Sequence, residues 1–290
     1  MPELPEVETV RLGLSALLPG RVFAAVVHNN EKSFPNATAD VNAFLLGAAV
    51  TAVKRRAKVL LIELDSNYSL VIHLKMTGQL VFVSADTRFG AGHPSDSLVG
   101  RLPDKSTHVE LTFTDGSKLF FNDQRKFGLV QLLPTEEVSN IDFMKKVGPE
   151  PLDAGFSVRD FAARLQRRKN TTIKAALLDQ TVIAGVGNIY ADESLWGAKI
   201  HPATRVADIP NAKLHTLFSE LQYVLNLAIQ KGGSSDKNYV NAEGKKGSYL
   251  SFARVFRREG LACPRCGATI VKLRVAGRGT HICPREQKLP

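Results

Sequence analysis

The chain opens Met1-Pro2-Glu3-Leu4-Pro5-Glu6-Val7-Glu8, and the chemistry available to this stretch organises the reading of everything behind it. A proline next to the initiator methionine becomes the N-terminus once the methionine is trimmed, as it usually is before a small residue. Pro2 then carries a secondary amine in place of an amide. A terminal amine titrates at roughly 7.7–8, so a useful fraction is neutral near pH 7, and its attack on a sugar or carbonyl carbon gives an iminium intermediate. Glu3 and Glu6 fall in the first turn of a helix, where one of them can move the protons that such an attack requires. The same residues also suit ordinary helix-start chemistry, with proline early and glutamates in the first turn. Leu4, Val7, Val10, Leu14 and Leu17 then supply an apolar face at helical spacing.

At 290 residues and 44% apolar content the chain can bury the cores of two modest domains. Its longest apolar run, 44–53, is far short of the ~20 residues that span a bilayer, and no basic stretch precedes an apolar one at the start. A cytoplasmic protein with no membrane partner is expected. Three cysteines, all between Cys263 and Cys283, point to metal rather than to a disulfide framework. The net charge of +10 is uneven, because residues 231–290 hold thirteen Lys/Arg against four Asp/Glu. Such a concentration beside a cysteine cluster favours a polyanion, of which nucleic acid is the commonest. Gly and Pro break the region too often for a membrane-binding amphipathic helix.

After the opening helix, short strand-like runs recur at 22–27, 49–53, 59–64, 70–74, 79–83, 108–113, 118–122 and 128–133. Turn residues separate them, which predicts a β-sandwich or barrel with one helix attached. Residues 84–105 are rich in Gly, Pro, Ser and Asp, lack periodicity and read as a mobile surface loop. Beyond Pro134 the spacing becomes helical at 158–165, 173–178, 191–196 and 212–230, with Lys231-Gly232-Gly233 as a stop. Ile183-Ala184-Gly185-Val186-Gly187-Asn188-Ile189-Tyr190 puts glycines just before a helix, where backbone N–H groups can approach a phosphate. Cys263-Pro264-Arg265-Cys266 and, after sixteen intervening residues, Cys283 have the spacing of a zinc ribbon.

Taken together, these strings resemble bacterial formamidopyrimidine-DNA glycosylase, a base-excision repair family, from Pro2 to Gln287. The resemblance implies an α+β chain of four parts. They are a catalytic β-sandwich domain with its N-terminal helix (1–132), a helix-two-turn-helix domain (133–232), a lesion-capping loop (233–252) and a zinc-finger-like β-hairpin (253–290). It implies a bifunctional glycosylase and abasic-site lyase that removes oxidised purines from damaged double-stranded DNA, working as a monomer without a redox cofactor. Pro2 is the implied nucleophile and Glu3 the proton shuttle. Lys58 matches a hairpin lysine assigned proton donation in β-elimination, and Arg278 a finger arginine credited with δ-elimination. Met76, in His73-Leu74-Lys75-Met76-Thr77-Gly78, and Arg125 and Phe127, in Asp123-Gln124-Arg125-Lys126-Phe127-Gly128, match residues that enter the duplex. An apolar chain, a guanidinium plane and a ring can replace the stacking lost when a base is flipped out. Further DNA contacts are implied for Glu6, His108, Asn170, Lys174 and Asn188.

The alternatives are an endonuclease VIII-like glycosylase for oxidised pyrimidines and a non-catalytic DNA-binding protein. The first usually departs from this N-terminal string, and retention of Pro2, Glu3 and Lys58 together argues against the second. Two positions depart from the family pattern, Ser106 where a histidine is common and Asn170 where a lysine is. The metal site departs too. Relatives end in a second Cys-x-x-Cys, whereas here Cys283-Pro284-Arg285 leads to Glu286. One zinc ion on Cys263, Cys266, Cys283 and Glu286 is the expectation, since zinc accepts a carboxylate oxygen. The open alternatives are His281 as fourth donor, or a finger folded by packing alone.

Overall fold

The computed structural model describes residues 2–234 and 249–290, so the expected capping loop lies, over 235–248, outside the described residues. The chain divides into two compact units, Met1–Lys145 with Lys231–Ser248, and Lys146–Gln230 with Tyr249–Pro290. The helical segment and the cysteine hairpin fall within one compact unit.

The first unit begins with α1 (Leu4–Leu17), entered through a reciprocal capping box in which Glu3 N–H donates to Glu6 Oε2 at 2.8 Å. Nine strands follow, β1 (Phe23–His28), β2 (Val50–Arg56), β3 (Val59–Leu64), β4 (Tyr68–His73), β5 (Gly78–Val83), β6 (Arg88–Gly92), β7 (Thr107–Phe113), β8 (Lys118–Asp123) and β9 (Leu129–Pro134). A helical turn, α2 (Thr38–Asp40), and a short α3 (Asp142–Lys146) complete it. The strands form one antiparallel sheet in the order β1-β7-β8-β5-β6 and another in the order β2-β3-β4-β9. Alternating inward residues such as Phe82, Leu111 and Phe121 on the first and Leu60, Ile62 and Ile72 on the second share one apolar core, joined by Val7, Val10 and Leu14 of α1. Each large side chain so buried contributes about 1.5–3 kcal/mol. The sandwich is thus the sheet-on-sheet solution to strands that each present one apolar face.

Residues 84–105 correct the sequence reading, which took them for a mobile loop. They contain β6, paired with β5 along its length, and Phe89 packs so closely on α1 that a Cβ at Gly13 would meet its ring at 2.1 Å. Arg88 fastens the rest by donating to the carbonyls of Ser97, Leu98 and Gly100. Leu98 joins Val81 and Phe120 in a small apolar cluster on the outer side of the sheet. Periodicity failed here because β6 is short and two of its five residues are glycine. Ser106, one of the departures, serves this stretch: it is buried and its N–H and hydroxyl both donate to Asp104.

The second unit holds α4 (Val158–Gln166), α5 (Ile173–Leu178), α6 (Asn188–Gly197) and α7 (Asn211–Gln230), then the hairpin β10 (Val271–Val275) and β11 (Arg278–Ile282). Ser157 caps α4 in a capping box with Asp160, and Thr172 caps α5. Phe161, Leu177, Tyr190, Leu195 and Leu221 build their core. No helix among the described residues is long and apolar enough to cross a membrane.

Candidate functional site

In the first unit, sheet register gathers residues that are far apart in sequence. Val59 pairs with His73, which sets the two-residue turn Ala57-Lys58 beside the β4–β5 loop carrying Lys75 and Met76. Gly78 pairs with Asp123, which sets that same loop beside Arg125 and Phe127. The chain start is tied to this end as well. Glu8 of α1 accepts from Arg55 Nε at 2.8 Å, and Arg55 Nη1 donates to Ala57 O at 2.8 Å, bracing the turn that presents Lys58. Burial raises the Glu8 carboxyl, but the bonds from Arg11 and Arg55 outweigh it and hold the group below its ordinary value. Pro2, Glu3 and Lys58 are all buried, while Phe127 is 55% exposed and lies 4.8 Å under the Arg125 guanidinium.

Two residues that sequence reasoning passed over control these loops. The buried Asp123 carboxylate accepts from Arg125 N at 3.1 Å, Phe127 N at 2.8 Å and Gly128 N at 2.7 Å, and also from the Thr77 hydroxyl of the Met76 loop. One side chain therefore shapes both the Met76 loop and the Arg125–Phe127 loop. His73 Nδ1 accepts from Lys75 N at 3.0 Å. Burial, and then the charges of Lys75 and Lys58, push its pKa down to about 3, so it stays neutral and keeps that acceptor. Asp123 and His73 both stood in the quoted strings, but only the fold shows what they receive.

Two expected DNA contacts in this unit are buried on partners within the protein. Glu6 is buried, and its oxygens take Glu3 N and, at 2.7 Å, Ser234 N, so it fastens the helix start and the chain leading to 235. His108 is buried between Asn29 Oδ1 at 2.8 Å and the Asp123 carbonyl at 2.9 Å. It supports the Arg125 loop from beneath and presents no face to a phosphate.

In the second unit Asn188 opens α6, with Gln180 bracing the preceding loop through Gly185 N and Val186 O. Asn188 Nδ2 donates to Gly279 O at 3.0 Å, next to Arg278. Arg278 is exposed and follows a two-residue turn, Ala276-Gly277, whose positive φ values match a tight hairpin. Asn170 is exposed in the turn before α5. Lys174, another expected DNA contact, is also placed inside. It is wholly buried, with Nζ 2.6 Å from Asp192 Oδ1 and 2.6 Å from Thr280 Oγ1. Asp192 in turn accepts from His281 N at 2.9 Å, so the pair is a strut between α5, α6 and β11. Withdrawing Lys174 towards a phosphate would strand a buried carboxylate.

The Sγ atoms of Cys263, Cys266 and Cys283 lie within 4.8 Å of one another. For Cys263, burial opposes ionisation, yet N–H groups of Arg265 and Cys266 aimed at the sulfur bring it down to about 7. Burial pushes Cys283 up to about 11. Three buried or half-buried thiols converging on one point fit a zinc ion. Glu286, the expected fourth ligand, is not in this group. Its carboxylate sits on Lys199 Nζ at 2.9 Å and Arg265 Nη1 at 3.2 Å, bonds that lower its pKa.

The formamidopyrimidine-DNA glycosylase N-terminal domain family matches residues 1–130, its H2TH domain residues 147–239, and the zinc finger found in FPG and IleRS residues 260–285. The formamidopyrimidine-DNA glycosylase of Latilactobacillus sakei is 39% identical, covering 99% of this chain and 98% of its own. That of Herpetosiphon aurantiacus is 42% identical, covering 98% of each. Lactococcus lactis Fpg, solved with DNA containing an abasic site, superposes with a TM-score of 0.87 at 34% identity over 99% of both chains. A Lactococcus lactis variant bound to Fapy-dG DNA gives the same score, covering 99% of this chain and 100% of that one. The chain belongs to the formamidopyrimidine-DNA glycosylase family.

Proposed function

We propose that the chain is a bifunctional DNA glycosylase and abasic-site lyase that removes 8-oxoguanine and formamidopyrimidines from duplex DNA in the cytoplasm. The observation that carries this reading is the buried Pro2-Glu3 pair at the head of α1, linked through Glu8, Arg55 and Ala57 to the turn bearing Lys58. Relatives solved on abasic-site and Fapy-dG DNA support the same substrate class. After loss of Met1, the Pro2 amine attacks the anomeric carbon of the flipped nucleotide. The C1′–N bond breaks, the base departs with a proton, and the sugar ring opens to an iminium. Glu3, set at the positive end of the helix, carries the proton between amine and sugar oxygen. In β-elimination the C2′ proton passes to Glu3 as the C3′–O bond breaks and Lys58 donates to the leaving phosphate; in δ-elimination the C4′ proton is lost to water as the C5′–O bond breaks and Arg278 donates, so that the strand is cut on both sides of the sugar.

Arg125, Phe127 and Met76 fill the hole left by the flipped base, and Asn188 grips the backbone. Zinc, when bound, supplies a cross-link between the two cysteine turns, with Cys263, Cys266 and Cys283 as its ligands. The test is borohydride reduction during incubation with a duplex bearing one 8-oxoguanine. A covalent adduct mapping to Pro2 is expected, and none from protein that retains Met1. Trapping that maps to a lysine, or a thymine glycol duplex outrunning the 8-oxoguanine one, overturns the reading.

A further inference from the structure

The two cysteine turns of the finger differ at one position. Cys263-Pro264-Arg265-Cys266 supplies two sulfurs, and Cys283-Pro284-Arg285-Glu286 repeats the same turn. N–H groups of Arg285 and Glu286 point at Cys283 Sγ, as those of Arg265 and Cys266 point at Cys263 Sγ. The backbone thus sets Glu286 where a fourth sulfur would stand, while its carboxylate turns to Lys199 and Arg265. Arg265 is the firmer of the two cations. Arg265 lies 3.9 Å over the Trp196 ring and donates to the carbonyls of Trp196 and Gly197 at 3.3 and 3.4 Å, at the negative end of α6. Lys199 follows directly, in a left-handed turn at φ 55°. To reach a metal, Glu286 would have to give up two charge-assisted bonds.

The other candidate donors stay outside the sulfur group. His281 Nδ1 lies 3.1 Å from Asp192, and its Nε2, 3.2 Å from Glu259 but without a hydrogen bond, does not join the three sulfurs. Gln287 spends Oε1 on Cys283 N and Nε2 on Ile200 O. Among the described residues, the donors that converge are the three sulfurs.

We propose that the finger holds zinc through Cys263, Cys266 and Cys283 alone, leaving the fourth position of the metal to an exchangeable ligand, water at rest and imidazole or a small thiol when supplied. The inference rests on the reading of the finger as a zinc site. Four protein ligands close a structural zinc site, whereas three leave a position open. Here Lys199 and Arg265 keep that position open by withholding the nearest carboxylate.

The test replaces zinc by cobalt(II) in the full chain and follows its visible spectrum during titration with imidazole. Sulfur-to-cobalt absorption suited to three thiolates and a saturable imidazole shift are expected. Glu286→Gln should leave the spectrum and the cobalt affinity unchanged. Glu286→Cys should raise the sulfur-to-cobalt absorption by about one third, as four thiolates replace three, and abolish the imidazole shift. It should also slow extraction by a chelator by about tenfold or more. A changed spectrum or weaker binding in Glu286→Gln would make Glu286 a ligand and overturn the proposal. So would an unaltered chain that ignores imidazole. Cobalt bound only by Glu286→Cys refutes the three-thiolate site while keeping the finger's metal-binding frame. Cobalt bound by neither protein refutes the zinc reading itself.

Discussion

Replacing Asp123 by asparagine should loosen both the Met76 loop and the Arg125–Phe127 loop, the two proposed to enter the duplex, while leaving the sandwich folded. The carboxylate accepts three backbone N–H groups, at 3.1 Å from Arg125, 2.8 Å from Phe127 and 2.7 Å from Gly128. An amide has one accepting oxygen. If its NH2 takes the place of Oδ2, it faces the N–H groups of Phe127 and Gly128 and two bonds are lost. If it takes the place of Oδ1, the bond to Arg125 is lost and the Thr77 hydroxyl must turn round. Hydrogen bonds to a charged group are worth about 1.5–3 kcal/mol each. The better rotamer therefore costs about 3 kcal/mol once the charge on the surviving bonds is gone. At about 2–4 °C per kcal/mol for a unit of this size, melting should fall by about 6–12 °C. Hydrogen exchange read at individual amides localises the effect, with lost protection expected at Arg125, Phe127 and Gly128 and little change along β2 to β4. Binding to a lesion duplex should weaken by about tenfold or more, because the Arg125–Phe127 stack no longer has a fixed base. Protection at those three amides equal to that of the unaltered chain would refute the assignment of Asp123 as the organiser of both loops.

Lys174→Met should destabilise the second unit by about 3–5 kcal/mol, since it strands Asp192, yet leave the salt dependence of DNA binding unchanged; a phosphate-contacting lysine would lower that slope by about one. Arg125→Ala should narrow the preference for cytosine over adenine opposite the lesion by about 1–3 kcal/mol, the worth of one good bidentate base contact, measured as the ratio of excision rates. His73 has a folded pKa of about 3 against 6.5 for the free side chain. Its contribution to stability is therefore complete above pH 6.5 and is lost as the pH falls from there towards 3, because only the unfolded chain takes up the proton. Denaturant titrations between pH 6.5 and 5 should show a slope of up to about 1.4 kcal/mol per pH unit, removed in His73→Gln.

The sequence by itself determined the class and the order of the parts. The opening string supplies a candidate N-terminal amine, a capping glutamate and an apolar helix face within a few residues, all local chemistry. Alternation marked eight of the nine sandwich strands, and the cysteine spacing announced a metal. What only the tertiary structure decided was where the charged side chains spend themselves. Lys174, His108 and Glu6 have the composition of DNA contacts, but each is buried on a partner supplied by another part of its unit, Asp192, Asn29 and Ser234 respectively. Glu286 stands at the right place in the finger and is turned away by Lys199 and Arg265. Asp123 looks like one loop acid among others until β5–β8 register brings Thr77 to it. Residue type and spacing fix local backbone geometry, because torsion preferences and periodic burial act over a few residues. The partner a charge finds depends on strand register and helix packing, which join positions as far apart as Glu6 and Ser234, and burial makes that choice costly to reverse.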